Sequence, residues 1–368
     1  MRLRRIGTIG ISKPETPSAA VPWIAWNLTP DEKEGLLSLL ERKGLAAGRT
    51  TGDSARFLAD PEALESLLSF HPFKVDPSTL EKAVRGPDHG RFLRTWGLSP
   101  PGGGVALLGV LNVTPDSFFD GGRFVETEAA VRHAEDLARE GADIIDVGGE
   151  STRPGAETVP EEEEIRRVVP VIRELGTRLT IPISIDTRKA AVAEAAARAG
   201  AAVINDVTGL GHDPDLAKVA AAHGSGLILN HIRGTPRDMQ KNPRYNDPVS
   251  EVYDDLARSA ETAASAGVPE EKIAVDPGIG FGKRLSDNLL LLRHLSELRS
   301  LGFPVLVGAS RKSFLGQILG LPVEERLEGT IGACAAAVLA GADMLRVHEP
   351  LPVSRAVRVV EAIRRGEA

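Results

Sequence analysis

Short apolar runs alternate with longer amphipathic stretches from about residue 105 to the end of the chain. Eight runs have the character of β-strands: VALLGVLNV, ADIIDVGG, IPISIDT, AAVINDV, GLILNHI, KIAVDPG, FPVLVGAS and DMLRVHE. Helical periodicity lies between them, for example at Glu126–Glu140, Glu161–Leu175, Lys189–Ala199, Pro248–Ala266, Asp287–Ser300 and Val353–Arg365. Eight such units predict an α/β fold of the (β/α)8 TIM-barrel type, with a doubly wound sheet as the alternative.

The first hundred residues have a different pattern. Short apolar runs such as Trp23–Leu28 are mixed with helical patterns at Asp31–Lys43 and Pro61–Phe70, which predicts a small α+β unit. The run SPPGGG at Ser99–Gly104 has the proline and glycine residues that are typical of a boundary. We therefore predict an N-terminal extension at residues 1–100, of unknown role, and a barrel at residues 103–368.

Charge and composition narrow the classes of partner. The net charge is −7 and the chain has no run rich in lysine and arginine, which argues against nucleic acid or an anionic membrane as a partner. No stretch reaches the roughly 18 apolar residues of a membrane span, and the start lacks the apolar core of a secretory signal. We expect a cytoplasmic protein. The single cysteine, Cys334, lies among small residues and is expected to be buried.

Polar side chains follow every predicted barrel strand. They are Asn112, Glu150 to Arg153, Asp186, Asn205, His231, Asp276, Ser310 to Lys312, and Arg346 with His348. One such residue often only begins a loop or caps a helix. In a barrel, however, all these positions converge on the carboxyl-end rim, where barrel enzymes place their chemistry. The eight together predict a functional site.

The residue types at this rim indicate the ligand. The acceptors are Asp186, Asn205 and Asp276, and the cations are Arg153, Lys312, Arg346 and His348. Carboxylates and amides match N–H groups, whereas arginine and lysine match phosphate or carboxylate oxygens, so the set suits a flat, donor-rich ring with an anionic tail. DPGIGFGKR fails the P-loop pattern, and HExxH and GxSxG are absent. We therefore expect chemistry without a covalent nucleophile.

Eight motifs follow one another along the barrel region: GVLNVTPDSFFDGG, GGESTRPGA, SIDT, INDV, HIRGTP, DPGIGFGK, ASRKSFLG and LRVHE. In this order they closely resemble the dihydropteroate synthase family of pterin-binding TIM barrels. The resemblance implies a transferase of folate biosynthesis that condenses 6-hydroxymethyl-7,8-dihydropterin diphosphate with p-aminobenzoate and releases pyrophosphate. It also implies a Mg²⁺ cofactor, a homodimer and a sulfonamide target.

The same resemblance assigns roles to individual positions. It implies Mg²⁺ binding by Asn112, and catalytic roles for Asp120, Arg153, Lys312, Arg346 and His348. The pterin-binding positions are Asp186, Asn205, Asp276, Lys312 and Arg346. The p-aminobenzoate positions are Thr152, Arg153, Pro154, Phe281 and Ser313. Arg346 and His348 are further implied to hold the pyrophosphate.

One departure and two alternatives accompany this interpretation. At the fifth strand the family usually has Met-His-Met-Gln-Gly, whereas this chain has Asn-His-Ile-Arg-Gly from Asn230, so we expect a different pocket wall. A corrinoid-dependent methyltransferase shares the pterin-holding positions but needs neither TPDSF nor SRKSF. A non-catalytic pterin-binding module is disfavoured because Asn112, Arg346 and His348, which serve the leaving group, are retained.

Overall fold

The computed structural model describes residues 87–114, 123–151 and 155–366, together with residues 2–5, 21–26, 34, 36–38, 40 and 55–59. Eight parallel strands form the main sheet, as the sequence predicts. They are β4 (Ala106–Asn112), β5 (Ile144–Gly148), β6 (Ile183–Asp186), β7 (Val203–Asp206), β8 (Gly226–Asn230), β9 (Ile273–Asp276), β10 (Leu306–Val307) and β11 (Met344–Val347).

The sheet curves round into a barrel. Its strands follow one another in chain order from β4 to β9, and β11 pairs with both β10 and β4. Between β9 and β10 a parallel bridge joins Val275 to Val305. These pairings confirm the predicted TIM barrel. The doubly wound alternative is wrong because an open sheet would leave two unpaired edges.

Helices cover the outside and the lower end of the barrel. They are α1 (His89–Trp96), α2 (Arg123–Arg139), α3 (Glu161–Arg178), α4 (Ala190–Ala199), α5 (Asp215–His223), α6 (Pro248–Ser265), α7 (Leu285–Arg293), α8 (Leu295–Leu298), α9 (Ser313–Leu319), α10 (Leu327–Leu339) and α11 (Pro350–Arg365). The helix predicted over Asp287–Ser300 is divided at His294, where φ is −107° and ψ is 21°. No helix within the described ranges combines the length and apolar character needed to cross a lipid bilayer.

Alternating side chains along the strands divide the core in two. Residues that point outward, such as Ile145 and Val147, pack against the helices, and the buried Cys334 of α10 lies in the same layer. Residues that point inward near the amino ends, such as Leu108, Ile144 and Met344, fill the lower barrel. The apolar lower barrel leaves only the upper, carboxyl-end half for a ligand.

Helix α1 closes the lower end of the barrel. Its Phe92 and Trp96 belong to the same buried cluster as Leu108 and Ile228, and the Trp96 Nε1 donates to the Glu271 carbonyl at 2.9 Å. Gly226 leaves room for the indole, because a β-carbon there would lie 3.0 Å from the ring. Although α1 precedes the predicted boundary at Ser99–Gly104, its side chains complete the barrel core.

The described part of the N-terminal region contains a second, small sheet. Strands β1 (Arg2–Arg5), β2 (Val21–Trp26) and β3 (Ala55–Ala59) pair antiparallel in that order. Within the predicted helix Asp31–Lys43, residues 34, 36–38 and 40 are described and helical, and Leu36 and Leu40 are buried. The helix predicted at Pro61–Phe70 lies outside the described residues.

Candidate active site

A polar layer lies above the apolar bottom of the barrel. Strand β5 shows how this polar layer arises. Every second residue points into the barrel, so Ile144 lies in the lower core, Asp146 one layer higher, and Gly148 at the rim. Ser184 of β6 and Asn205 of β7 are also polar and almost fully buried. The period-two alternation of the strands thus places polar groups where the barrel opens at its carboxyl end.

The guanidinium of Arg346 lies between two carboxylates. Its Nε donates to Oδ2 of Asp146 at 2.6 Å, and its Nη2 donates to Oδ2 of Asp186 at 2.7 Å. The amide of Asn205 donates through Nδ2 to the same Asp146 oxygen at 3.0 Å. Asp146, which was not predicted, therefore joins two predicted residues, Arg346 and Asn205, and Arg346 joins them to the third, Asp186.

Two carboxylate oxygens of this network lack a hydrogen-bond donor among the described residues. They are Oδ1 of Asp146 and Oδ1 of Asp186. Burial raises the pKa of Asp186 well above its usual range, although the charge of Arg346 opposes the shift. Because a buried acceptor without a donor costs about 1–3 kcal/mol, a ligand that supplied an N–H group to Asp186 Oδ1, the one nearer the rim, would be stabilised here.

Asp276 lies at the end of β9, near Arg346. Its Oδ1 accepts the Gly278 N–H at 2.6 Å, and its Oδ2 makes no hydrogen bond within the described part of the chain. A β-carbon at Gly308 would lie 3.9 Å from that Oδ2 and 3.8 Å from the Arg346 Cβ. Burial raises the pKa of Asp276 to about 6, opposed by the Gly278 N–H and by Lys312. The free Oδ2 is a second acceptor for a ligand N–H.

The side chain of Lys312 extends from this pocket to an aromatic ring. Its Nζ lies 3.8 Å from the centre of the Phe281 ring, and a β-carbon at Gly280 would lie 3.1 Å from its Cδ. Burial lowers the pKa of Lys312 to about 8, and repulsion from Arg346 adds to this shift. A cation held on a ring face with few other partners is ready to bind an anion.

The turn after β10 carries Lys312, and its Ser310 contacts His348. Arg311 adopts a left-handed backbone conformation, with φ at 57°, and its N–H donates to Thr330 Oγ1 at 3.0 Å. His348 Nδ1 lies 2.9 Å from Ser310 Oγ. A left-handed residue other than glycine costs on the order of 1 kcal/mol and persists where its surroundings hold it. The turn therefore presents a fixed pair of basic groups.

Asn112 lies at the rim, at the end of β4. Its register partner is Gly148, and a β-carbon at Gly148 would lie 3.8 Å from Asn112 Oδ1 and 3.7 Å from Asp186 Oδ2. Asn112 is thus beside the carboxylate that binds Arg346. Among the described residues, no three His, Cys, Asp or Glu side chains are grouped so that they could hold a metal ion.

The segment after β5 is held at both ends. Lys189 Nζ donates to Glu150 Oε2 at 2.6 Å and to the Val159 carbonyl at 2.6 Å, while Arg188 Nη2 donates to Glu150 Oε1 at 2.9 Å and to Thr158 Oγ1 at 3.1 Å. Two adjacent cations thus fix the chain on either side of residues 152–154. Those three predicted residues, Thr152, Arg153 and Pro154, lie outside the described residues, as does Asp120.

Asn230 and His231, which begin the segment where this chain departs from the family pattern, have different surroundings. Asn230 is the register partner of Asp276 in the pairing of β8 with β9, and its Nδ2 donates to the Val207 carbonyl at 2.8 Å. His231 does not join the pocket, since its ring lies between Asp255 Oδ2 and Lys283 Nζ, each 2.9 Å away. Burial lowers the pKa of His231 to about 4, so the ring is neutral near pH 7.

Together these positions define a class of protein, a TIM-barrel enzyme whose carboxyl-end pocket combines buried acceptors with partly buried cations. The chain matches a family model described as pterin binding enzyme over residues 108–348. It is 46% identical over 257 residues to a dihydropteroate synthase of Bacillus subtilis, which covers 70% of this chain and 88% of that protein. The chain therefore belongs to the dihydropteroate synthase family.

Solved structures support the same family. The chain resembles a Clostridium difficile dihydropteroate synthase crystallised in the presence of pteroic acid, with a TM-score of 0.67 and 45% identity over 70% of this chain and 96% of that one. A Yersinia pestis dihydropteroate synthase in a sulfonamide drug complex aligns with a TM-score of 0.68 and 42% identity, over 73% of this chain and 99% of that one.

Proposed function

We propose that this protein condenses 6-hydroxymethyl-7,8-dihydropterin diphosphate with p-aminobenzoate to give 7,8-dihydropteroate and pyrophosphate. This is a transferase reaction of folate biosynthesis. The observation that carries the proposal is the pairing of Arg346 with Asp146 and Asp186. This network, with Asp276 and Lys312 nearby, offers buried acceptors to a ring and partly buried cations to an anionic tail.

The pterin pocket is proposed to consist of Asp186, Asn205, Asp276, Lys312 and Arg346. A dihydropterin ring carries N–H and NH2 donors on its edges, and the free carboxylate oxygens of Asp186 and Asp276 are acceptors of the matching kind. Each charge-assisted bond contributes about 1.5–3 kcal/mol, which is twice the contribution of a neutral bond. These residues hold the ring while Arg346 and Lys312 draw the diphosphate towards the same rim.

The chemistry requires a leaving group to be stabilised and a cation to be captured. The bond between the pterin CH2 carbon and the diphosphate oxygen breaks, and both electrons leave with the oxygen. The remaining cation is delocalised into the ring, and the amine nitrogen of p-aminobenzoate then bonds to this carbon and loses a proton to the solvent or to the leaving group. Lys312, Arg346 and His348 are proposed to compensate the charge of the departing diphosphate.

The p-aminobenzoate site is proposed to lie beside Phe281. The ring of Phe281 is nearly buried beneath Lys312, and Ser313 is the exposed first residue of α9. Thr152, Arg153 and Pro154 complete this site by resemblance, and Asp120 keeps its proposed catalytic role on the same basis. A sulfonamide that mimics p-aminobenzoate is expected to compete for this site, as in the Yersinia pestis relative.

Mg²⁺ is proposed to bind with the diphosphate at Asn112. Proteins usually hold this ion through one or two oxygen ligands and let substrate phosphates supply others, so a single amide oxygen at the rim suits it. The bound ion would add positive charge against the leaving group. Asn112 fits this role because its Oδ1 is a hard oxygen donor close to Gly148 and the Asp186 carboxylate.

A homodimer is proposed from an apolar surface. The neighbouring helices α7 and α9 and the turn after α9 expose large hydrophobic side chains, namely Leu289, Leu290, Ile318, Leu319 and Val323. Sedimentation velocity should show a dimer that Ile318→Glu converts to a monomer, because a buried carboxylate would oppose association. A wild-type monomer at micromolar concentration would contradict the dimer.

A cytoplasmic location is proposed from the chemistry of the substrate. A diphosphate ester is polyanionic and does not cross a bilayer unaided, so the enzyme must act in the compartment where this ester is made. Fractionation of cells with an antibody against the protein would test the location, and recovery from outside the cytoplasm would contradict it.

The decisive assay mixes the purified protein with the dihydropterin diphosphate, p-aminobenzoate and Mg²⁺. Mass spectrometry should detect dihydropteroate, and omission of p-aminobenzoate should abolish this product. A corrinoid-dependent methyltransferase would instead transfer a methyl group from a methylated folate, and a binding module would bind the pterin without turnover. Either of these results would contradict the proposed reaction.

A further inference from the structure

Asp146 lies inside the barrel, beneath the proposed pterin pocket. It is fully buried in the middle of β5, between Ile144 below and Gly148 above, and it faces Ser184 of β6 in register. It is not among the residues that the family resemblance assigns to a ligand. Its location below the pocket floor suggests an action through its neighbours rather than on the substrate.

A single oxygen of Asp146 holds two pocket residues. Oδ2 accepts from Asn205 Nδ2 at 3.0 Å and from Arg346 Nε at 2.6 Å. A carboxylate has no hydrogen to donate when ionised, so whatever amide lies against it must present its NH2 side.

This contact fixes the polarity of Asn205. Because Nδ2 donates to Asp146, the other end of the amide, Oδ1, is the end that can point to a ligand, and it can only accept. The contact also fixes Arg346, since Nε is bound to Asp146 and Nη2 to Asp186. Nη1 has no partner among the described residues and is left for the anionic part of a substrate.

We propose that Asp146 is a positioning residue that makes Asn205 an acceptor for a pterin N–H and sets the plane of the Arg346 guanidinium. The proposal rests on the proposed pterin pocket and adds a residue that determines which pattern of donors the pocket accepts. Without Asp146, the Asn205 amide is free to turn and offer its NH2 group to the ring edge, where it would face another donor.

A purely structural role would also make Asp146 important, because removal of one partner from a buried ion pair is strongly destabilising. The test therefore needs a rescue that stability alone does not explain. Asp146→Asn keeps the shape of the side chain, and Asn205→Asp places a second carboxylate against the first. In the double variant the new amide at position 146 donates to the new carboxylate at position 205, whose other oxygen again accepts from the ligand. The same NH2 group cannot accept from Arg346 Nε, so that bond is not restored.

The experiment measures two quantities, the affinity for pteroic acid by calorimetry and the melting temperature. Both are measured for the wild type and four variants. These are Asp146→Asn, Asn205→Asp, the double variant, and Ser184→Ala as a control. Ser184 occupies the facing register position, and its hydroxyl has no partner among the described residues. We expect Asp146→Asn to weaken binding about tenfold to a hundredfold and Asn205→Asp at least a hundredfold. The double variant should bind at least about tenfold more tightly than Asn205→Asp but more weakly than wild type, because the bond from Arg346 Nε stays lost, and Ser184→Ala should bind normally.

Three results would overturn the proposal. They are normal pteroate affinity in Asp146→Asn, a double variant that binds no better than the weaker single variant, and losses in affinity that merely follow the melting temperature across the series. Failure of the proposed function is distinguishable, because a wild-type protein that neither binds pteroic acid nor forms dihydropteroate would reject the pterin pocket itself.

Discussion

Lys312 and Phe281 are in direct contact, with the Lys312 Nζ 3.8 Å from the centre of the aromatic ring. The two residues come from different loops, one after β10 and one after β9. Since Lys312 is assigned to the pterin and Phe281 to p-aminobenzoate, their contact marks the place where the two proposed sites adjoin. If both substrates bind as proposed, a cation there lies close to the bond that breaks and to the amine that attacks.

Replacement of this cation should affect catalysis far more than folding. We expect Lys312→Met to lower kcat/KM by about a hundredfold to a thousandfold, as for other groups that stabilise charge in a transition state. Its melting temperature should not fall, because burial opposes the ammonium, as the pKa lowered to about 8 indicates. Steady-state kinetics and calorimetry check both expectations. Lys218→Met, on the exposed surface of α5, is the control, and equal losses in the two variants would contradict the assignment.

The pocket should show a bell-shaped pH dependence of kcat/KM for the pterin substrate. Asp276, with its pKa raised to about 6, must be ionised to accept an N–H, and Lys312, with its pKa lowered to about 8, must be protonated. Activity should therefore rise as the pH passes about 6 and fall as it passes about 8. Lys312→Arg should remove the fall, because arginine stays protonated. If the rise persists in Asp276→Asn, it belongs to Asp186, whose pKa is also raised by burial, or to the substrate diphosphate, and the assignment to Asp276 is wrong.

Asp276→Asn should separate ligand binding from stability. The amide replaces a free acceptor with a donor that faces a ligand donor, at a cost on the order of 2–4 kcal/mol, so pterin affinity should fall about thirtyfold to a thousandfold. A raised pKa means that the folded state gains stability from the protonated Asp276 below about pH 4 and loses it as the pH rises through about 6. Above that pH, Asp276→Asn avoids the cost of burying an ionised carboxylate, which lowers the free energy of unfolding by up to roughly 3 kcal/mol.

Calorimetric melting at pH 5 and pH 8 measures this second effect. The variant should gain stability relative to wild type at the higher pH, whereas its loss of pterin affinity should be present at both. A variant that binds pterin normally but melts early would show that Asp276 only forms the turn through its bond to the Gly278 N–H.

Truncation should distinguish α1 from the rest of the N-terminal region. Deletion of residues 1–86 retains the Phe92 and Trp96 side chains in the barrel core, whereas deletion of residues 1–100 removes them. Each aromatic side chain buries about 150–250 Å², which corresponds to up to roughly 4–6 kcal/mol of hydrophobic stabilisation. We expect the shorter deletion to melt cooperatively and the longer one to be insoluble or strongly destabilised. Equal melting temperatures would mean that α1 is dispensable.

The barrel and much of the pocket follow from local sequence patterns. Asp186 and Asp276 end apolar runs, and in a parallel barrel the position of a strand end fixes the position of its side chain in space. Asp146 could not be assigned in this way, because it lies within the run ADIIDVGG and its partners come from β7 and β11. One pattern in the sequence indicates its position: Asp146 is two residues from both Ile144 and Gly148, so it points into the barrel as they do.

Two other features depend on contacts that the local pattern does not contain. The boundary at Ser99–Gly104 is rich in proline and glycine, yet Trp96 before it packs against Gly226 in the barrel. His231 ends a barrel strand as predicted but turns towards Asp255 and Lys283, because these partners, from α6 and the loop after β9, satisfy both ring nitrogens. Strand-end arguments locate a side chain at the rim but do not determine which way it faces.

A crystal structure of the protein with pteroic acid tests the proposed pocket most directly. The account predicts a pterin ring in the carboxyl-end half of the barrel, with its N–H groups about 3 Å from Asp276 Oδ2, Asp186 Oδ1 and Asn205 Oδ1, and with the aminobenzoate ring beside Phe281. Pteroic acid bound elsewhere on the surface, or a pterin ring that presents acceptors to these three oxygens, would contradict it.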